Sequence, residues 1–240
     1  MYKDLSSPYS SEIQSVGKFT MTTLDSSETT CAICAKTSEH TAIASTNSFG
    51  SPDLDLRPPE MKRSTMAYWL QECPGCGYSA GSIDDPQPDA KAVMARDAFQ
   101  TLQVGHLGGT LRGRFLKASL LAEAANDLGS AADHALWAAW AADDASDTEG
   151  ARQYREKSAD LFLKTLNDAD GSSEEAIVTK TRLVDILRRA TRWEEAQKIV
   201  TELLPEDLDP TIRSVLTFEQ TAIESHDDHA YTVAQALGDE

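Results

Sequence analysis

A chain of 240 residues with a formal net charge of −17 is long enough for one large or two small domains and too acidic for a typical nucleic-acid binder. Hydrophobic residues at 40% and charged residues at 25% are ordinary values for a soluble globular protein. No apolar run approaches the ~20 residues needed to cross a bilayer, and the opening "MYKDLSSPYSSEIQSVGKF" lacks the apolar centre of a secretory signal. Composition therefore points to a cytoplasmic protein with reduced thiols, binding neither nucleic acid nor membrane.

Residues 1–30 are rich in Ser and Thr without an apolar period and read as a mostly disordered tail, with a short ordered piece near Val16–Met21. Residues 31–80 carry strand-like runs, "EHTAIASTNSF" and "TMAYWLQEC", separated by the proline-rich "GSPDLDLRPPEMKRS". "GSIDDPQPD", within 81–89, reads as a linker. From about residue 90 to 240 the apolar spacing is helical. A first helix is closed by "GHLGG"; Leu111, Phe115, Ala118 and Ala122 line the next, and Gly129 is placed as its stop. Ala131 to Asp144 is alanine-rich with Trp137 and Trp140 inserted, which allows close helix approach. A longer helix follows over Gly150–Leu166. Ser172 with Glu175, and Thr191 with Glu194, have the spacing of capping boxes, and Asp209-Pro210 offers an N-cap with proline at the first helical position. The last helical pieces fall near 210–225 and 229–237. Leu183, Leu187, Trp193, Ala196, Val200 and Leu203 flank a tight turn as in a tetratricopeptide (TPR) repeat. No clean period of ~34 residues recurs, so an irregular helical bundle is the competing reading.

All four cysteines lie in "CAIC" (Cys31, Cys34) and "CPGCG" (Cys73, Cys76), 38 residues apart. Two C-x2-C turns joined by hairpins give the four-thiolate tetrahedron of a structural zinc ribbon, with the proline-rich stretch as an insertion between them. A thioredoxin-like reading needs a C-x2-C at a helix start, and disulfides need an oxidising compartment; neither fits the flanking residues. Four thiolates close the shell, so one structural zinc is expected, with no catalytic water.

The knuckles, the "NSFGSPDLDLRPPEM" loop between them, and then "RFLKASLLAEAANDLG" and "ALWAAWAADDA" resemble a bacterial family, domain-of-unknown-function family 2225. The resemblance covers most of residues 31–166. It implies an N-terminal zinc ribbon with TPR-like helices and the metal ligands Cys31, Cys34, Cys73 and Cys76, and it draws attention to Asp53, Asp55 and Arg57. It implies no activity.

Other candidates are weighed individually. Asp53, Asp55 and Arg57 are either a partner-contacting tip or a self-capping loop. Tyr68 and Trp69 suit packing of the ribbon on the helices better than base stacking. His226 and His229, beside Asp227 and Asp228, sit where Asp normally caps a helix. Lys180, Arg182, Arg188, Arg189, Arg192 and Lys198 form the richest basic cluster. Arg182 and Arg189 share a helix face and are candidate contacts for an acidic partner, against the simpler reading of a solvated face. No serine-hydrolase elbow, phosphate loop or dinucleotide fingerprint occurs. The expectation is a mainly α protein, a small N-terminal β zinc ribbon on an α-helical TPR-like hairpin array. It would act as a non-enzymatic adaptor for a protein or peptide partner; the alternative is a zinc–thiolate redox sensor.

Overall fold

The computed structural model describes residues 22–168 and 173–239. The Ser/Thr-rich start, expected as a tail through residue 30, is an ordered strand from Thr22. Strand β1 (Thr22–Thr30) pairs antiparallel with β2 (Thr37–Thr46), in a register running from Thr30 opposite Thr37 to Thr22 opposite Thr46. Hydroxyls pair across the strands at Thr22–Thr46 (3.0 Å), Ser26–Thr41 (3.1 Å) and Thr30–Thr37 (2.9 Å). The polarity of this segment belongs to a Thr- and Ser-rich ribbon that is largely exposed on both faces. The piece proposed near Val16–Met21 lies outside the described residues.

A second hairpin is minimal, β3 (Gln71–Glu72) against β4 (Ser79–Ala80). Most of the "TMAYWLQEC" run, expected as a strand, instead belongs to a 3₁₀ helix, Arg63–Tyr68, and the turn that follows it. Thr65 Oγ1 donates to the Lys62 carbonyl (2.7 Å) and receives the Trp69 Nε1 hydrogen (3.0 Å), local bonds that compete with a strand ladder. The turn buries Met66 and Leu70 against the helices.

Nine helices follow among the described residues: α1 (Ala90–Met94), α2 (Asp97–Val104), α3 (Leu111–Ala124), α4 (Leu128–Asp144), α5 (Thr148–Asp168), α6 (Glu174–Arg189), α7 (Trp193–Leu203), α8 (Pro210–Glu224) and α9 (Val233–Leu237). From α3 to α8 each packs on its sequence neighbours. One reversal recurs. After α3, α4, α6 and α8 the chain turns through a single left-handed residue: Asn126 (φ 61°), Ser146 (57°), Thr191 (59°) and His226 (53°). The next N–H in each case reaches five residues back: Asp127 to Ala122, Asp147 to Ala142, Arg192 to Leu187 and Asp227 to Ala222. This is the Schellman closure. Asp127 and Asp147 then cap the following stretch, accepting from the Ser130 and Gly150 N–H groups, so one residue closes a helix and opens the next.

These turns revise two expectations. Gly129 lies inside α4 rather than ending α3. Thr191 is the reversal residue of α6, so no Thr191–Glu194 box forms; α7 starts from Arg192 with no side-chain cap. Ser172 lies outside the described residues, and Ser173 caps α6 instead, accepting from Ala176 N–H. Asp209 caps α8 with Pro210 at its start, as expected.

Alanine decides the spacing of α3, α4 and α5. Ala131, Ala132, Ala135, Ala138, Ala139 and Ala142 of α4 are fully or almost fully buried. Ser119 of α3 and Ser158 of α5 donate to the α4 carbonyls of Ala131 (2.8 Å) and Ala132 (2.9 Å) from the two sides. Larger residues in α4 would hold these backbones apart. No helix among the described residues is long and apolar enough to cross a membrane.

Candidate metal centre

The two C-x2-C segments are the turns of the two hairpins, and they fold alike. In the first, Cys31 N–H donates to Lys36 O (2.9 Å) and Ala35 N–H to Cys31 O (2.9 Å); in the second, Cys73 N–H donates to Tyr78 O (2.9 Å) and Gly77 N–H to Cys73 O (2.8 Å). Ala35 and Gly77 occupy the same place and both are left-handed, at φ 60° and 76°. In each turn the N–H two residues on, from Ile33 or Gly75, points at the first sulfur at 3.4 Å. A thiolate accepting such bonds is stabilised in its charged form. A side chain at Gly77 would collide with Gln103 of α2.

The hairpins bring the sulfurs together crosswise: Cys31 Sγ to Cys76 Sγ is 3.7 Å and Cys34 Sγ to Cys73 Sγ is 3.5 Å. All four lie within 4.8 Å of one another. A tetrahedron with metal–sulfur bonds of 2.3 Å has edges of about 3.8 Å, so the spacing fits one ion. The cysteines are free thiols, with no disulfide. Burial raises the Cys31 and Cys76 thiols above their ordinary value. Burial also opposes ionisation of Cys73, but the N–H groups of Cys76 and Gly75 outweigh it and bring this thiol down to about 7. Without a cation the quartet resists holding several charges at once; a dication removes that penalty.

The site rests on its own small core. Cys31 and Cys73 pack with Tyr78, Ile83, Val93, Phe99 and Leu121, so α1, α2 and one face of α3 belong to it. Residues 81–89 are therefore no free linker. Ala32 N–H donates to Ile83 O (2.9 Å), Ile83 N–H to Gln71 Oε1 (3.0 Å), and Tyr78 Oη to Asp85 O (2.7 Å). Lys117 of α3, fully buried, donates to Glu72 (2.6 Å) and to Gln103 (2.8 Å), anchoring the residue before Cys73 to the helices. Sequence reasoning passed over Lys117. Its signal was its position on the α3 face of Gly113 and Leu121, where a lysine needs a buried partner.

The insertion between the knuckles is a belt on the helices rather than a tip. Residues 51–54 run beside the C-terminal segment: Leu54 N–H donates to Tyr231 O (2.9 Å) and Val233 N–H to Pro52 O (2.9 Å). Asp55 is completely buried. Its carboxylate accepts from Trp140 Nε1 (2.7 Å), Arg57 N–H (3.1 Å) and Arg189 (3.2 Å), with Arg155 at 3.8 Å. Burial opposes its ionisation, but Arg189 and Arg155 outweigh that and hold the carboxyl below its ordinary value. Arg57 pairs with Asp144 (2.6 Å), and Asp53 with Arg63 (2.6 Å). These residues form no exposed tip: Asp53 pairs with Arg63 inside the insertion and Asp55 accepts from Arg57 N–H, as a self-capping loop would, while the Asp55 and Arg57 side chains also pair with the helices.

The basic cluster dissolves in the same way. Arg182 and Arg189 do share a face, but it is turned inward: Arg182 pairs with Asp133 (2.7 Å) and donates to Asp55 O (2.9 Å), and Arg189 bridges Asp55 and Asp143. Arg188 is fully buried against Asp185 and Glu219. Arg192 pairs with Asp160 and Glu195. The proposed contacts for an acidic partner are thus internal ion pairs, because α6 is packed on both sides. Trp69 packs edge-on against Trp137 and Trp140, as expected, whereas Tyr68 stays partly exposed. Asp227, Asp228 and His229 also lie close together. Asp227 accepts from Tyr231 Oη (2.6 Å) and His229 N–H (2.9 Å), and these bonds hold it at about 2, which is the chemistry of a turn cap. Compared with protein-family models, curated proteins and solved structures, the chain matches none.

Proposed function

We propose that Cys31, Cys34, Cys73 and Cys76 hold one structural zinc ion, and that the protein is a non-enzymatic scaffold whose TPR-like helical hairpins recognise a protein or peptide partner. The observation that carries this reading is the pair of matching knuckles with their sulfurs at tetrahedral spacing. Soft thiolates in a closed four-sulfur shell favour zinc over oxygen-seeking cations. The recurring reversal after α3, α4, α6 and α8, with packing between sequence neighbours, supports the repeat-like array. Metal analysis of purified protein should give about one zinc per chain, and Cys73→Ser should release it and loosen residues 22–88. Full zinc and unchanged stability in that variant would refute the assignment.

A redox-sensing reading has one observation in its favour: Cys34 is exposed while its three companions are at least half-buried. Rapid, reversible zinc loss at low peroxide would support it. Zinc retained until the protein unfolds would exclude it.

A further inference from the structure

A cavity of about 450 Å³ lies between the inserted belt and the helices. Ile43, Leu56, Pro58 and Trp69 line it from the front module, Trp137 and Trp140 from α4. Its size is that of small-molecule pockets, and three of the four tryptophans of the chain face it. Two features separate it from an ordinary packing defect. Leu56 is held in the left-handed region (φ 65°) with its apolar side chain 45% exposed, a costly arrangement for a leucine that needs only a turn. The charged groups are also unequal. Asp133 and Arg182 neutralise each other at 2.7 Å, whereas Lys62, exposed at the opening, has no side-chain hydrogen bond or ion pair among the described residues. The indole N–H groups of Trp69 and Trp140 are committed to Thr65 and Asp55, and Trp140 is almost completely buried, so the ring surface open to a ligand is that of the partly buried Trp69 and Trp137.

We propose that this cavity is a binding site for a planar aromatic carboxylate, its ring against the tryptophans and its carboxylate at Lys62. An organic cation would also find ring faces here, but the one acid in the lining, Asp133, is already paired with Arg182, and the unpaired charge at the opening is the cationic Lys62, which repels it. Because five of the nine lining residues come from residues 43–69 and the other four from α4 and α6, the site exists only when the two are docked.

Calorimetric titration of the full chain with 2-naphthoate, 2-naphthylmethanol and 2-naphthylmethylammonium tests this. Saturable binding of the naphthoate is expected, roughly tenfold tighter than the alcohol, and Lys62→Met should erase that preference while leaving alcohol binding unchanged. Trp137→Ala should weaken both. Three results would overturn the proposal. They are equal or tighter binding of the ammonium probe, no saturable binding of any probe up to about 10 mM, or naphthoate affinity unaltered in both variants.

Discussion

Replacing Asp55 with alanine should destabilise the protein more than its place in an inserted loop suggests. The substitution removes the acceptor of the Trp140 indole, the Arg57 N–H and Arg189, at 2.7, 3.1 and 3.2 Å, and leaves Arg155 without one of its two acids. A charge-assisted bond contributes about 1.5–3 kcal/mol, and each neutral donor left buried without a partner costs about 1–3 kcal/mol. Part of this is recovered, because Arg155 and Arg189 keep Asp143 at 2.5 and 3.0 Å. The net expectation is about 3–5 kcal/mol, the range for breaking a buried ion pair from one side. For a chain of this size that lowers the melting temperature by roughly 6–20 °C. Urea and thermal unfolding followed by tryptophan fluorescence measure it directly, since Trp140 is a partner. Asp53→Ala is the control: its main partner is the partly exposed Arg63, so a loss of only about 1 kcal/mol is expected. Zinc content should stay unchanged in both. A loss below about 1 kcal/mol for Asp55→Ala would refute the view that this carboxylate clamps the belt.

Glu219 gives a pH prediction of unusual sign. Burial, reinforced by Asp185, lifts its carboxyl to about 8 despite Arg188. Asp185 Oδ2 and Glu219 Oε1 are both buried without a hydrogen-bond partner, as two carboxylates awaiting a shared proton would be. The folded state then binds that proton more tightly than the unfolded chain, so the contribution of this group to stability is full below about pH 4.5 and is lost as pH rises toward about 8. Glu219→Gln should match the parent at pH 5 and exceed it by about 1 kcal/mol or more at pH 8.5; an equal difference at both values would contradict the assignment. At the left-handed positions, Ala35→Gly and Thr191→Gly should each stabilise by about 0.5–1 kcal/mol in urea titrations, with the β-branched Thr191 gaining at least as much. Destabilisation in both would mean the turns are not strained.

The clustering of the four cysteines was legible from spacing alone, because a C-x2-C turn is a local object: its N–H groups, its reversal and its two sulfurs all lie within six residues. Amphipathic helices were legible for the same reason, since Leu183 and Leu187, or Ala196 and Val200, declare a face at helical spacing. The strand at Thr22–Thr30 was missed because its hydroxyl ladder joins it to Thr37–Thr46, and a polar strand looks like a tail until its partner is known. Only the tertiary structure assigned the charges. Asp55 lies 85 residues from Trp140 and 134 from Arg189, and nothing local distinguishes a carboxylate in a solvated loop from one sealed beneath two guanidinium groups. Arg182 and Arg189 were rightly placed on one face, yet which way that face turns depends on how α6 packs against its neighbours. Short-range geometry is written in residue order; the sign and purpose of a buried charge are set by what folding brings beside it.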